Sequence, residues 1–196
     1  MGTVFAGGPS HTVLAVLGYG MLLFVVYTFG TLFELAVTRG VCFLYVIGYF
    51  LAFVVVLAIR RVGRFGTGAA VFLPYAVLGV FFEYEMEVVA SPVLVAWWAA
   101  VIWSLNGPLA GLSADLANRF LPRTVRQGLR PTLVGIVAVS AYFLLTLGTL
   151  AFLYNDPAPG LAHFLNGIYL TLPWLLVAAG FGGYTAYTMS TRAGGG

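Results

Sequence analysis

Polar positions are rare along this chain, and they come in clusters. Between the clusters lie six stretches of nearly unbroken apolar sequence, at about 12–38, 41–59, 67–90, 92–112, 132–154 and 161–188. A hydrocarbon layer about 30 Å thick takes roughly 20 apolar residues of helix to cross. Each run is near that length. None alternates apolar with polar, which argues against a transmembrane barrel. Backbone groups without water must bond to one another, and a helix does this within one segment. The pattern predicts an all-α, polytopic integral membrane protein. It is one domain over 1–196, with six transmembrane helices and short loops.

The breaks between runs have local causes. Arg39-Gly40 parts the first two. Ser91-Pro92 reads as an N-cap followed by proline at the first helical position, and Arg130-Pro131 opens the fifth run in the same way. No helix crosses Asn155-Asp156-Pro157-Ala158-Pro159-Gly160. Leu112, Leu116 and Phe120 repeat at i, i+4 and i+8, with Asp115, Asn118 and Arg119 between them. This predicts a short amphipathic helix over 113–121 on the cytoplasmic membrane face, capped by Ser113 and ended by Pro122.

Composition agrees. Of 196 residues, 61% are apolar and 8% charged, against about 25% charged in an average soluble domain. An ordinary soluble domain, a disordered chain and a nucleic-acid binder are excluded. The placement of charge then orients the chain. Arg60, Arg61 and Arg64 follow the second run; Arg119, Arg123, Arg126 and Arg130 follow the fourth; Arg192 ends the sixth. The other side carries Arg39, Glu83, Glu85, Glu87 and Asp156. Positive charge stays in the cytoplasm, so both ends are expected there. The expected location is the cell membrane, with multiple passes. The first run lacks a charged segment before it and is too long for a signal peptide, so it reads as a retained helix.

Missing residue types narrow the chemistry. There is no Lys, so a retinal Schiff base, a pyridoxal enzyme and a Walker-type phosphate loop are excluded. Cys42 is alone and reads as a small hydrophobe. His11 and His163 map to opposite membrane faces, which argues against a bis-histidine haem.

The polar residues within runs are the candidates for function. Glu83 and Glu87 share a helical face, and Glu85 points away. If the third helix reaches Ala90, two carboxylates face the bundle and suit a cation or a proton relay. If it ends near Phe82, they form a solvated rim. Glu34 either pairs with Arg39 or joins that face. Asn106-Gly107-Pro108 is expected to break the fourth helix and to line a polar site at depth, or else to be a tolerated kink or an early helix end. Pro74 and Pro173 are expected to kink the third and sixth helices. Asn166 reads as a buried amide in the first turn of the sixth. Ala178, Gly182 and Ala186, with Gly180 and Gly183 nearby, form a small-residue face for close helix contact, within the chain or between subunits. Trp97 and Trp98 suit an aromatic belt. Arg119, Arg123 and Arg126 would sit near lipid head groups. Thr28-Phe29-Gly30-Thr31-Leu32 echoes Thr146-Leu147-Gly148-Thr149-Leu150, as a repeated hairpin would.

Two functions follow. The first is translocation or binding of a small solute or ion, with Glu34, Glu83, Glu87, Asn106, Pro108 and Asn166 near its path. The second is a non-catalytic accessory or scaffold subunit of a membrane complex, binding pigment or lipid, or a second copy of the chain. A lipid-directed enzyme comes third, because no base, nucleophile or metal set is present.

Overall fold

The computed structural model describes residues 9–33, 43–78, 80, 97–122, 124–153 and 165–192. The described residues are all-helical, with no strand among them. Six helices run in order: α1 Pro9–Phe33, α2 Phe43–Val62, α3 Thr67–Val71, α4 Trp97–Phe120, α5 Leu129–Leu153 and α6 Leu172–Arg192. A π-helix, Gly167–Thr171, leads into α6. Among the described residues two stretches, Ser10–Gly30 and Leu129–Thr149, are long and apolar enough to cross a membrane, with mean hydropathy 2.0 and 1.9.

α2 is the centre. Its sequence is apolar around its whole circumference until Arg60, and a helix of that kind has to be enclosed on every side. Leu51, Ala52 and every residue from Val54 to Ile59 are buried, and α2 touches each of the other five helices. α6 covers it most extensively, followed by α1 and α5. α4 lies against α3 and α5.

Prolines fall within three elements and shape two of them. Before Pro74, the helix begun by α3 passes through a turn at Phe72 and resumes to Leu78. Before Pro173, the chain widens into the π-helix. In both places the proline has no N–H for the carbonyl four residues earlier, and the backbone is irregular just ahead of it. Pro108 behaves differently: α4 runs through Asn106-Gly107-Pro108 without a break. The expected break is therefore corrected. The lost hydrogen bond is a single one, and the helix is packed closely there, with Phe72 on Gly107 and Gly68 of α3 on Gly111.

A second correction follows from the same helix. Residues 113–120 are the last two turns of α4, not a separate surface helix. Ser113 caps nothing; its hydroxyl donates back to the Leu109 carbonyl at 2.9 Å. Asp115, expected on the polar side of that segment, is 3% exposed. Phe120, expected on its apolar side, is 74% exposed. Asn166, expected to be buried, is exposed.

The glycine-bearing faces are internal contacts. Gly182 lies so near the Tyr49 carbonyl of α2 that a Cβ would overlap its oxygen. Gly183 does the same with the Pro131 carbonyl of α5. The buried face of α6 is Leu175, Ala179, Gly182, Gly183 and Ala186, so Gly182 and Ala186 belong to it while Ala178 stands at its half-buried edge. Gly68 of α3 and Gly111 of α4 put backbone against backbone.

Candidate functional site

Polar side chains inside an apolar bundle need partners, because an unpaired buried donor or acceptor costs about 1–3 kcal/mol. Among the described residues, three groups meet that need, each between segments distant in sequence.

The first joins α4 to α5. Asn106, 4% exposed, donates from Nδ2 to Thr149 Oγ1 at 3.1 Å. The Thr149 hydroxyl lies 3.2 Å from Asn106 Oδ1 and 2.8 Å from its own helix's Leu145 carbonyl. Amide and hydroxyl close on each other. Ser104, also buried, donates to the Val101 carbonyl at 2.9 Å.

The second joins α4 to the start of α3. Gly63 and Gly66 turn the chain with φ of 70° and 89°, a backbone that only glycine adopts without strain. The turn leaves the first amides of α3 without helical partners, and Asp115 supplies one: Ala69 N–H donates to Oδ2 at 3.2 Å. Asp115 lies beyond the apolar run 92–112, level with this turn. Burial pushes its carboxyl above the ordinary aspartate range, while the amides of Gly68, Ala69 and Gly66 pull it back. Arg119, one turn further along α4, lies over the Phe65 ring at 5.5 Å.

The third joins α1, α3's continuation and α5 through phenols. The Tyr75 and Tyr142 hydroxyls are 3.2 Å apart, both buried. Tyr27 meets Tyr75 edge-on at 4.6 Å, and Phe72 stacks on Tyr142 at 6.2 Å.

The arginines gather at one end of the bundle, where the start of α5 lies against the C-terminal ends of α4 and α6, and α6 against that of α2. Arg60 Nε donates to Ser190 Oγ at 2.7 Å, and its guanidinium lies over the Tyr187 ring at 4.8 Å. Arg130 donates from Nη2 to the Asn118 carbonyl. Arg126 and Arg192 are exposed.

Among the predicted site residues, the structure brings Asn106 and Pro108 into one helix but joins only Asn106 to a partner. Asn166 lies apart from them. Glu34, Glu83, Glu87 and Arg123 lie outside the described residues, as do Glu85, Cys42 and His163 and the side chains of Trp97, Trp98 and Trp103. Among the described residues no three of His, Cys, Asp and Glu stand together as a metal set would require. Sequence reasoning missed Asp115, Thr149 and the Tyr75–Tyr142 pair. A signal existed for Asp115: with Gly107 and Gly111 it repeats at i, i+4 and i+8, which puts it on the face that packs closest. Thr149 sits 43 residues from Asn106, and no spacing rule reaches that far.

No protein-family model, curated protein or solved structure matches this chain.

Proposed function

We propose that this is a multi-pass protein of the cell membrane, with six spans and both ends cytoplasmic, working as a non-catalytic structural subunit. Its outer surface is as apolar as its core, and polar residues of its helices lie within. Asn106, Asp115, Ser104 and Thr67 are inside, while Leu14, Leu17, Met21 and Phe29 on α1 and Trp174, Val177 and Phe181 on α6 are outside. Water would leave such a surface uncovered; acyl chains or a partner helix cover it without cost.

The observation that favours a structural role over a path is the closed Asn106–Thr149 pair. A site that passes a polar solute keeps polar groups facing an open way, whereas this amide spends its hydrogen bonds on a neighbouring helix. Close backbone contacts at Gly182, Gly183 and Gly111 support a tightly packed interior.

Reconstituted liposomes test this. Purified protein is expected to give no cation or proton flux above empty vesicles, and to migrate in native gels as part of a complex larger than one chain. Flux that Glu87→Gln abolishes and Glu85→Gln does not would establish translocation instead.

A further inference from the structure

Arg60 and Arg130 come from helices 70 positions apart in sequence, yet both lie beside the last turns of α6: Arg60 rests on Ser190 and Tyr187, and Arg130 precedes Pro131, whose carbonyl meets Gly183. Asp115 is the one acidic residue among the described residues, and it is engaged at the start of α3. Neither guanidinium has a carboxylate partner among those residues. Arg130 Nε is enclosed and has no hydrogen-bond partner. Two like charges held together and partly desolvated raise the energy of the fold unless an anion offsets them.

Both side chains are tethered. Arg60 is fixed by Ser190 and the Tyr187 ring, Arg130 by the Asn118 carbonyl. An arginine that only orients a chain in a membrane needs no tether, because charge anywhere near the surface serves. Fixed guanidiniums suit the geometry of a phosphate.

A groove leads away from this end. It has a volume of about 490 Å³ between α5 and α6, with Thr132, Ile136, Val177, Gly180, Phe181 and Tyr184 along it. Its lining is almost wholly apolar. Tyr184 connects it to the arginines: a Cβ at Gly128 would meet the Tyr184 and Tyr187 rings at 3.5 and 3.8 Å, and Tyr187 carries Arg60. A fixed cation pair beside an apolar groove matches an amphiphile with an anionic head.

We infer that Arg60, Arg130 and the α5–α6 groove bind one anionic phospholipid, with its phosphate at the guanidiniums and an acyl chain in the groove. This rests on the membrane reading above, so retention of the chain in membranes after alkaline washing is scored first and separately. Delipidated protein in detergent then receives phosphatidylglycerol, phosphatidylcholine or inorganic phosphate, with binding read by native mass spectrometry and thermal shift. Phosphatidylglycerol is expected to bind about tenfold more tightly than phosphatidylcholine, and inorganic phosphate to give little shift. Arg60→Gln should weaken phosphatidylglycerol about fivefold, the worth of one arginine near a charged surface. Arg192→Gln removes the same charge from an exposed site and should leave binding unchanged. Gly180→Leu, which fills the groove, should weaken both lipids. If Arg60→Gln does not fold, Ser190→Ala releases the tether with the charge kept and should give a smaller loss. Equal effects of Arg60→Gln and Arg192→Gln would reduce the site to diffuse surface charge and overturn the inference. A full shift from inorganic phosphate alone would overturn the lipid, leaving an anion site, and so would equal binding of the two lipids.

Discussion

Asp115 is 3% exposed, with Oδ2 facing the Ala69 amide of α3 at 3.2 Å. Asp115→Ala leaves amides at the start of α3 unpaired and is expected to lower stability by about 1–3 kcal/mol. Asp115→Asn keeps an acceptor oxygen and should cost less. The two variants also separate by pH. The folded carboxyl titrates above the ordinary value, so the folded state holds its proton more tightly than the unfolded chain. Its contribution to stability is then present below about pH 4 and is lost as pH rises through the folded value. Thermal unfolding in detergent, followed across that range, should show this fall in the wild type relative to Asp115→Asn. Two parallel curves would mean that the carboxyl is not perturbed. At this scale the sequence was partly legible. It marked Asn106 as a polar group at depth, and it placed Asp115 on a wet face. The error came from the apolar triplet Leu112, Leu116 and Phe120: Phe120 is exposed, and the buried face is the one carrying Gly107, Gly111 and Asp115.

Helices pack here through glycine, and substitutions should sort by what a new methyl group meets. Gly182→Ala drives a Cβ into the Tyr49 carbonyl oxygen, a backbone atom that no rotamer change can move. The expected loss is about 1–3 kcal/mol, more with leucine. Gly148→Ala on α5 meets nothing within 4 Å and should raise stability by about 0.5–1 kcal/mol, the helical preference for alanine. Unfolding temperatures of the pair in one detergent check this, and an unaffected Gly182→Ala would place that face away from α2. Helix positions and the small-residue face of α6 were readable from composition and period. The partner of that face was not, because Gly182 and Tyr49 are 133 residues apart and nothing local encodes their meeting. The continuity of α4 through Pro108 was unreadable for a related reason. Propensity disfavours a helix there, and the packing of Phe72 on Gly107 and of Gly68 on Gly111 opposes it.

Over the whole molecule, Arg60, Arg119, Arg130 and Arg192 stand on elements that end or begin at one end of the bundle. Counting charges between runs anticipated this, since each connection carries its arginines wherever the helices lead it. The expected topology makes a direct test. In a Cys42→Ala background, a cysteine at position 64 should react with membrane-impermeant maleimide only after the membrane is opened. Labelling in intact cells would reverse the orientation.

The π-helix at Gly167–Thr171 holds one residue more per turn than its neighbours. Viewed as chain length, it is a stored insertion. Removing one residue from 167–171 would return the turn to ordinary pitch and leave Leu172–Arg192, with its contacts to α2 and α5, in register. Most helices tolerate no change in length, because each residue lost rotates everything beyond it by about 100°. This segment gives the fold a position where descendants of the chain can differ by one residue within a helix and still close the same bundle.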